Sequence, residues 1–221
     1  MTRDPWVRWD WVSRHGDDIL RATRQHVALT LIAVGVGLAI SVPLAVAARR
    51  WRVLERPVLA FTGGLYTIPS LALFALLVPL WGLSRLTAEV GLVSYTLLIL
   101  VRNVITGLDG VPEDVRDAAR GMGYRPLRQL VAIDLPLALP VIVAGIRIAV
   151  VTTIGLVTVT GLIGQGGLGA FIIEGINRNF RTPVVVGSVL SIALAVVADV
   201  LLAGALRLLT PWQRRRTAAA Q

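Results

Sequence analysis

The sequence predicts an all-α protein, a bundle of helices that crosses a membrane several times. Of its 221 residues, 55% are hydrophobic and only 16% are charged, a balance that ordinary soluble domains do not show. The charges cluster near the ends of long uncharged runs, as insertion into a bilayer requires. We predict five spans, with six as the alternative, at about 27–48, 57–83, 90–108, 137–162 and 183–209.

The lengths of these runs decide most of the assignment. The run 27–48 would extend about 33 Å as a helix, which is enough to cross the hydrocarbon core. The run 57–83 contains Pro69 at its middle, and each half would reach only about 20 Å. We therefore expect one kinked helix there, while the six-span alternative would make it two spans. The third span is interrupted by Arg102 and Asn103, and the fourth contains Arg147.

The orientation of the bundle follows less directly from the charges. All 22 basic residues are arginine, and their distribution does not decide between five and six spans by the positive-inside rule. Both arrangements place the loop 109–136 and the basic tail 210–221 in the cytoplasm, beneath the inner or plasma membrane. Residues 1–26 are rich in tryptophan and predict an interfacial helical segment, with a solvated tail as the alternative.

Two missing residue types exclude several kinds of chemistry. The chain has no cysteine and no lysine, which removes disulfides, thiolate metal sites, Schiff bases and the lysine of an ATP-binding P-loop. We therefore expect no catalytic site, cofactor or metal, and any ATP must be bound by another chain. The arginines flank apolar runs instead of forming a basic face, so lipid is the expected partner and nucleic acid is not.

The loop 109–136 is the one sizeable polar insert, and it predicts two short helices with a break between them. Asp109 or Gly110 can cap the first helix, Pro112 suits its early turn, and Glu113 complements its positive end. Gly121 and Gly123 end this helix, and Pro126 can begin the next. Helical spacing predicts an apolar stripe on Val115, Ala118 or Ala119, and Met122, with Arg116, Asp117 and Arg120 on the polar side.

The spacing within this loop closely resembles the EAA motif of ABC importer permeases. Asp117-Ala118-Ala119 is followed after three residues by Gly123, after nine more by Ile133, and then by Leu135-Pro136. Asp117 replaces the usual glutamate of the family, which keeps the charge and shortens its reach. Four further stretches are similar to permeases of osmoprotectant importers: YTIPSLALFALLVPLWG from Tyr66, RNVITGLDGVPEDVRDAARGMG from Arg102, LPLALPVIVAGIRIA from Leu135 and GLIGQGGLGAFIIEGIN from Gly161.

The resemblance implies a transport subunit that is not itself an enzyme. Members of this family form the pathway for glycine betaine, choline or carnitine, with cytoplasmic ATPase subunits, an extracytoplasmic solute-binding protein and a second or sister permease. A permease for another solute such as methionine is the alternative, and a stand-alone secondary transporter is a weaker one. The motif implies that coupling to the ATPase depends on Glu113, Asp117, Ala118, Ala119, Gly123, Leu135 and Pro136.

Candidate pathway residues are polar or helix-breaking groups within the apolar runs. Tyr66, Pro69 and Ser70 lie at the expected kink, where a broken helix often faces a cavity; packing against another helix is the alternative. Arg147 can instead pair with Asp199. The remaining candidates for pathway or gate are Asn103, Gly166, Gly167 and Gly169.

Overall fold

The computed structural model describes residues 5–210, and within them every regular element is a helix. Residues 1–4 and 211–221 lie outside the described part, which leaves out all of the predicted basic tail 210–221 except Thr210. The α-helices are α1 (Trp9–Arg14), α2 (Gly16–Arg50), α3 (Glu55–Thr67), α4 (Ser70–Trp81), α5 (Arg85–Asp109), α6 (Glu113–Gly121), α7 (Pro126–Gln129), α8 (Leu135–Val159), α9 (Leu168–Asn177) and α10 (Arg181–Leu209).

The long helices agree with four of the five predicted spans. Four continuous helical stretches are long and apolar enough to cross a membrane, and a fifth is added when α3 and α4 count together. The first of these begins at Gly16, so residues 16–26 of the predicted N-terminal segment are continuous with the long helix that follows, while α1 is a separate short helix. His26 is fully buried within that helix. The apolar helix α9 was not predicted.

The segment 57–83 differs from the prediction of one kinked helix. It forms two helices, α3 and α4, which meet at 94°. The cause is Pro69, because the residue before a proline is pushed out of the helical region, and Ile68 has extended backbone angles, with φ −66° and ψ 126°. The carbonyl of Ile68 accepts a hydrogen bond from the hydroxyl of Tyr95 on α5, which satisfies the group that the break frees.

Packing contacts establish the direction of each helix. Arg49 of α2 forms an ion pair with Asp109 of α5, and Gly37 packs on Thr96 midway along the same two helices, so α2 and α5 are parallel. From α3 to α4, Gly63, Ile68 and Phe74 contact Leu98, Tyr95 and Gly91 of α5 in turn. Despite the break, α3 and α4 therefore carry the chain back along α5, as a single crossing would.

The ends of the bundle can now be distinguished. We call the end that carries α6 and α7 the loop end; α2, α5 and α10 finish there, and α8 begins there. At the opposite end, α9 and the glycine-rich turn before it pack on the first turns of α2. The core at the loop end contains Ala45, Val104, Leu108 and Ile142, and further clusters of buried aliphatic residues extend toward the opposite end.

Candidate functional site at the 109–136 loop

The helix α6 projects from the loop end, and both its start and its end are set by specific residues. Its first residue is Glu113 and its cap position is Pro112, so neither Asp109, which ends α5, nor Gly110 caps it as predicted. At its end, Gly123 has a φ of +78°, which side chains with a Cβ rarely adopt. Tyr124 donates its amide to the carbonyl of Ala119 at 3.1 Å across this turn. The result is a short helix with a sharp exit.

Arg116 is buried, and its predicted position on the polar side is wrong. Its guanidinium donates to the backbone carbonyl of Leu108, to Asp134 at 3.3 Å and to Glu113 at 3.2 Å. Arg116 shares its helix face with Ala119, three residues on, and Ala119 is also fully buried. This face, not the opposite one, therefore fastens α6 to the spans.

Asp134 connects this contact to a second span. Its other carboxylate oxygen lies 3.7 Å from Arg49 at the end of α2. Arg49 in turn pairs with Asp109 at 3.1 Å, and Arg52 reaches the same carboxylate at 3.5 Å. Buried charges need such partners, because an unpaired one is costly. The chain of ion pairs links α6, α5, α2 and the start of α8 in one cluster.

The outward face of α6 carries Asp117 and Ala118, the two residues that precede the buried Ala119 in the motif. Asp117 and Ala118 are exposed, and Val115 and Met122 present apolar side chains on this surface. Apolar groups left exposed together in this way are typical of interaction sites. The helix therefore has one face held by the bundle and one face free in this chain.

Glu113 and Arg120 form the exposed electrostatic part of α6. Arg120 donates to Glu113 at 2.5 Å and also pairs with Asp117. The hydrogen bonds from Arg120 and then from Arg116 lower the pKa of Glu113 below its usual range. The bonds to Asp117 and Glu113 raise the pKa of Arg120. Both groups therefore stay charged throughout the neutral range.

Leu135 and Pro136 join the loop to α8 without a break in the helix. Residues Leu130–Asp134 form a π-helical turn directly before α8, and Pro136 occupies one of its first two positions. Proline lacks the amide that would continue the regular hydrogen bonding, and a π turn accommodates such a mismatch. The helix is therefore continuous from α7 into α8.

Of the candidate pathway residues, one packs against another helix and others are exposed at the break between α3 and α4. Asn103 donates to the carbonyl of Ile99 and packs tightly on Gly145 of α8, so it contacts another helix. Tyr66 and Pro69 are exposed at the break, with Tyr66 edge-on to Tyr95. Ser70 begins α4 and is half-buried.

The three glycines near residue 167 lie at the opposite end, against backbone. A Cβ added to Gly166 would overlap Gly161, and one added to Gly169 would overlap Thr158. A Cβ added to Gly167 would overlap α2 near Ala22 and His26. These positions let the turn before α9 fold closely onto α8 and α2. Arg147 pairs with Asp199 of α10, as the sequence suggested.

Comparison with known proteins decides the family. A family described as "binding-protein-dependent transport system inner membrane component" matches residues 33–209. The chain belongs to this family. Within it, a similar protein is the choline transport system permease protein OpuBB of Bacillus subtilis, 37% identical over 91% of this chain and 93% of its own length. The osmoprotectant import permease protein OsmW of Salmonella typhimurium is 41% identical over 86% of this chain and 90% of its own length.

A solved structure shows that this family member has the fold of a known transporter subunit. A chain from the inward-facing MetNI methionine ABC transporter superposes with a TM-score of 0.78, at 22% identity, covering 89% of this chain and 98% of that one. The all-helical bundle predicted from sequence is therefore confirmed. The identity is too low for the comparison to say anything of the solute.

The sequence prediction missed Arg116 and Asp134 as a pair. A signal was present: Asp134 is an isolated acid inside the apolar stretch that leads into a span, and such a group needs a partner. Arg49 was assigned only to the end of a span, and Asp109 only to a possible helix cap. Nothing in the sequence showed that these four charges meet.

Proposed function

We propose that this chain is the membrane subunit of an ABC importer for a quaternary ammonium osmoprotectant such as glycine betaine, choline or carnitine. ATP is hydrolysed by a separate cytoplasmic subunit, since this chain has no lysine for a P-loop. The loop end faces the cytoplasm, an extracytoplasmic binding protein delivers the solute at the opposite end, and a second or sister permease completes the pathway.

The observation that carries this proposal is the two-faced helix α6. Its inward face is held to three spans through Arg116 and Asp134, and its outward face, with Asp117, Ala118 and Met122, is available to a partner. A partner that moves this face would move α8 through the continuous helix from Pro126 to Ile163. This is how ATP-driven closure of the ATPase pair can shift the bundle between two states.

Relatives support the solute class. Their names specify choline, and glycine betaine, carnitine and choline together, at 37% and 35% identity over 91% of this chain. These solutes share a trimethylammonium group, whose charge cannot be neutralised by deprotonation. The structure of the methionine transporter supports the shared fold only.

Reconstitution tests the proposal directly. Vesicles that contain this chain, the ATPase and the binding protein should accumulate choline or glycine betaine only when ATP is supplied to the ATPase side. Omitting the ATPase is the matched control and should abolish uptake. Uptake without it would indicate a secondary transporter, and ATP-driven uptake of methionine with no response to quaternary ammonium solutes would replace the proposed solute class.

A further inference from the structure

The ion pair between Arg147 and Asp199 lies about halfway along α8. Nε and Nη2 of Arg147 each donate to a carboxylate oxygen of Asp199 at 2.9 Å. Arg147 is the middle residue of the 25-residue helix α8, so it lies about 18 Å from either end. Asp199 belongs to α10, and the pair therefore joins two spans far from both ends of the bundle.

This pair is not sealed inside the protein. The side chains of Arg147 and Asp199 are 31% and 41% exposed, and they open into a groove of about 650 Å³ between α8 and α10. The groove is otherwise mostly aliphatic, with Thr152 as its one further polar side chain among the described lining residues. Val196 and Val200 of α10 form part of its wall.

A groove with these charges is poorly suited to acyl chains. Charged side chains within spans almost always face the interior of a bundle or a water-filled cavity, even when they are paired. The next residue along α10, Val197, is turned about 100° from Val196 and does not line the groove. Val196 therefore faces the groove that contains the ion pair, and Val197, at nearly the same depth, does not.

We propose that the groove between α8 and α10 faces the solute pathway, and that Arg147 and Asp199 form a subsite there for a quaternary ammonium solute. This inference rests on the proposed function and adds the face of the bundle and the residues that meet the solute. Its alternative is a strut, in which the pair only holds α10 to α8.

The chemistry of the groove suits a trimethylammonium group. Such a group has no N–H to donate, so it needs aliphatic contact and a nearby negative charge more than directed hydrogen bonds. Val196 and Ile148 supply the aliphatic contact, and Asp199 supplies the negative charge. Because Arg147 neutralises Asp199, the attraction is weak enough for release, as a conducting pathway requires. Nη1 of Arg147 makes no hydrogen bond among the described residues and is available to the carboxylate of a zwitterion.

Thiol labelling in the assembled importer tests both parts of this proposal. The chain has no cysteine, so Val196→Cys and Val197→Cys can be compared in a clean background; the native side chains are 57% and 53% exposed. The probe is a methanethiosulfonate that carries a trimethylammonium group, applied to vesicles that contain the complete importer. Because a thiol reacts as the hydrated thiolate, Val196→Cys should be modified about tenfold faster than Val197→Cys.

Protection by solute then distinguishes a subsite from a strut. Excess choline should slow the modification of Val196→Cys several-fold, while sodium chloride at equal ionic strength should not. Adding Asp199→Asn should remove this protection. Equal rates at the two positions would overturn the assignment of the groove to the pathway, and fast labelling that choline leaves unchanged would overturn the subsite.

The same vesicles separate this inference from the proposed function. ATP-dependent choline uptake by the importer without introduced cysteines tests the proposed function alone. If uptake occurs and labelling shows no contrast, only the subsite fails. If labelling shows the contrast and choline protects but no ATP-dependent uptake is measured, the groove is a solute site and the proposed coupling to ATP fails.

Discussion

Arg116 and Asp134 illustrate how single charges hold the loop 109–136 in place. Both side chains are at most 10% exposed, and removing one partner of such a buried pair typically costs about 3–5 kcal/mol because the other is left unpaired. We expect Arg116→Leu to lower the thermal unfolding temperature of the purified chain markedly. The double variant Arg116→Leu with Asp134→Leu should recover part of the loss.

The exposed residue Arg125 provides the control for this experiment, since it makes no ion pair among the described residues. Arg125→Leu should leave the unfolding temperature nearly unchanged. An equal decrease for Arg125→Leu and Arg116→Leu, or a double variant worse than both single ones, would contradict the role given to the buried pair.

Glu113 offers a test of the charges on the exposed part of α6. Arg120 is the largest cause of its lowered pKa. A carboxylate whose pKa is lowered by folding adds stability that is complete above its ordinary pKa and is lost only as pH falls through the lowered one. Carbon-13 NMR should show the Glu113 carboxyl titrating below the usual glutamate range, and Arg120→Ala should move the midpoint upward. An unchanged midpoint in Arg120→Ala would rule out this pairing in solution.

Alanine substitutions at Gly123 and Gly121 can separate the effect of backbone conformation from that of steric space. An added Cβ meets nothing within 4 Å at either position, but only Gly123 has a positive φ. Left-handed backbone costs residues other than glycine about 1–2 kcal/mol, so Gly123→Ala should reduce solute-stimulated ATP hydrolysis in the assembled importer. Gly121 lies at the end of a regular helix, so Gly121→Ala should leave solute-stimulated ATP hydrolysis near the native rate. Equal activities would show that the exit from α6 tolerates rearrangement.

At the scale of elements, apolar runs predicted the long helices and the motif predicted the position of α6. Pro69 predicted a disturbance of the helix, but not the full 94° bend. The group that satisfies the freed carbonyl of Ile68 is the hydroxyl of Tyr95, which lies 27 residues away in the sequence. The inward turn of Arg116 was missed for a similar reason. Its partners Leu108 and Asp134 belong to neighbouring elements, and helical periodicity alone ranks arginine as polar and therefore outward.

The contact between α2 and α5 can be tested with two glycines of one helix. An added Cβ at Gly37 would overlap Thr96 of α5, whereas one at Gly35 would meet nothing within 4 Å. Overpacking of a close helix contact costs about 1–3 kcal/mol, so Gly37→Ala should lower the unfolding temperature in detergent. Gly35→Ala should not, since alanine favours the helix. The opposite order would contradict the observed packing of these helices.

At the scale of the whole molecule, the described residues form a bundle with a short helix, α6, fastened to one end. Ion pairs at the loop end join α6 to α2, α5 and the start of α8, and α8 continues to the opposite end, where α9 and the glycine-rich turn pack on α2. These contacts connect α6 through α8 to the far side of the bundle, as the proposed coupling requires. The sequence could predict α6 from its motif, but not the charge cluster that fastens it to the bundle.

Site-directed photo-crosslinking tests most directly whether the ATPase grips α6. In the cysteine-free chain, Met122→Cys at the loop end and Ile176→Cys at the opposite end replace side chains that are 67% and 62% exposed. Each is labelled with a benzophenone maleimide in the assembled importer and irradiated. The ATPase should be captured from Met122→Cys and not from Ile176→Cys; capture from Ile176→Cys alone, or from neither while ATP still drives uptake, would contradict the coupling role of this helix.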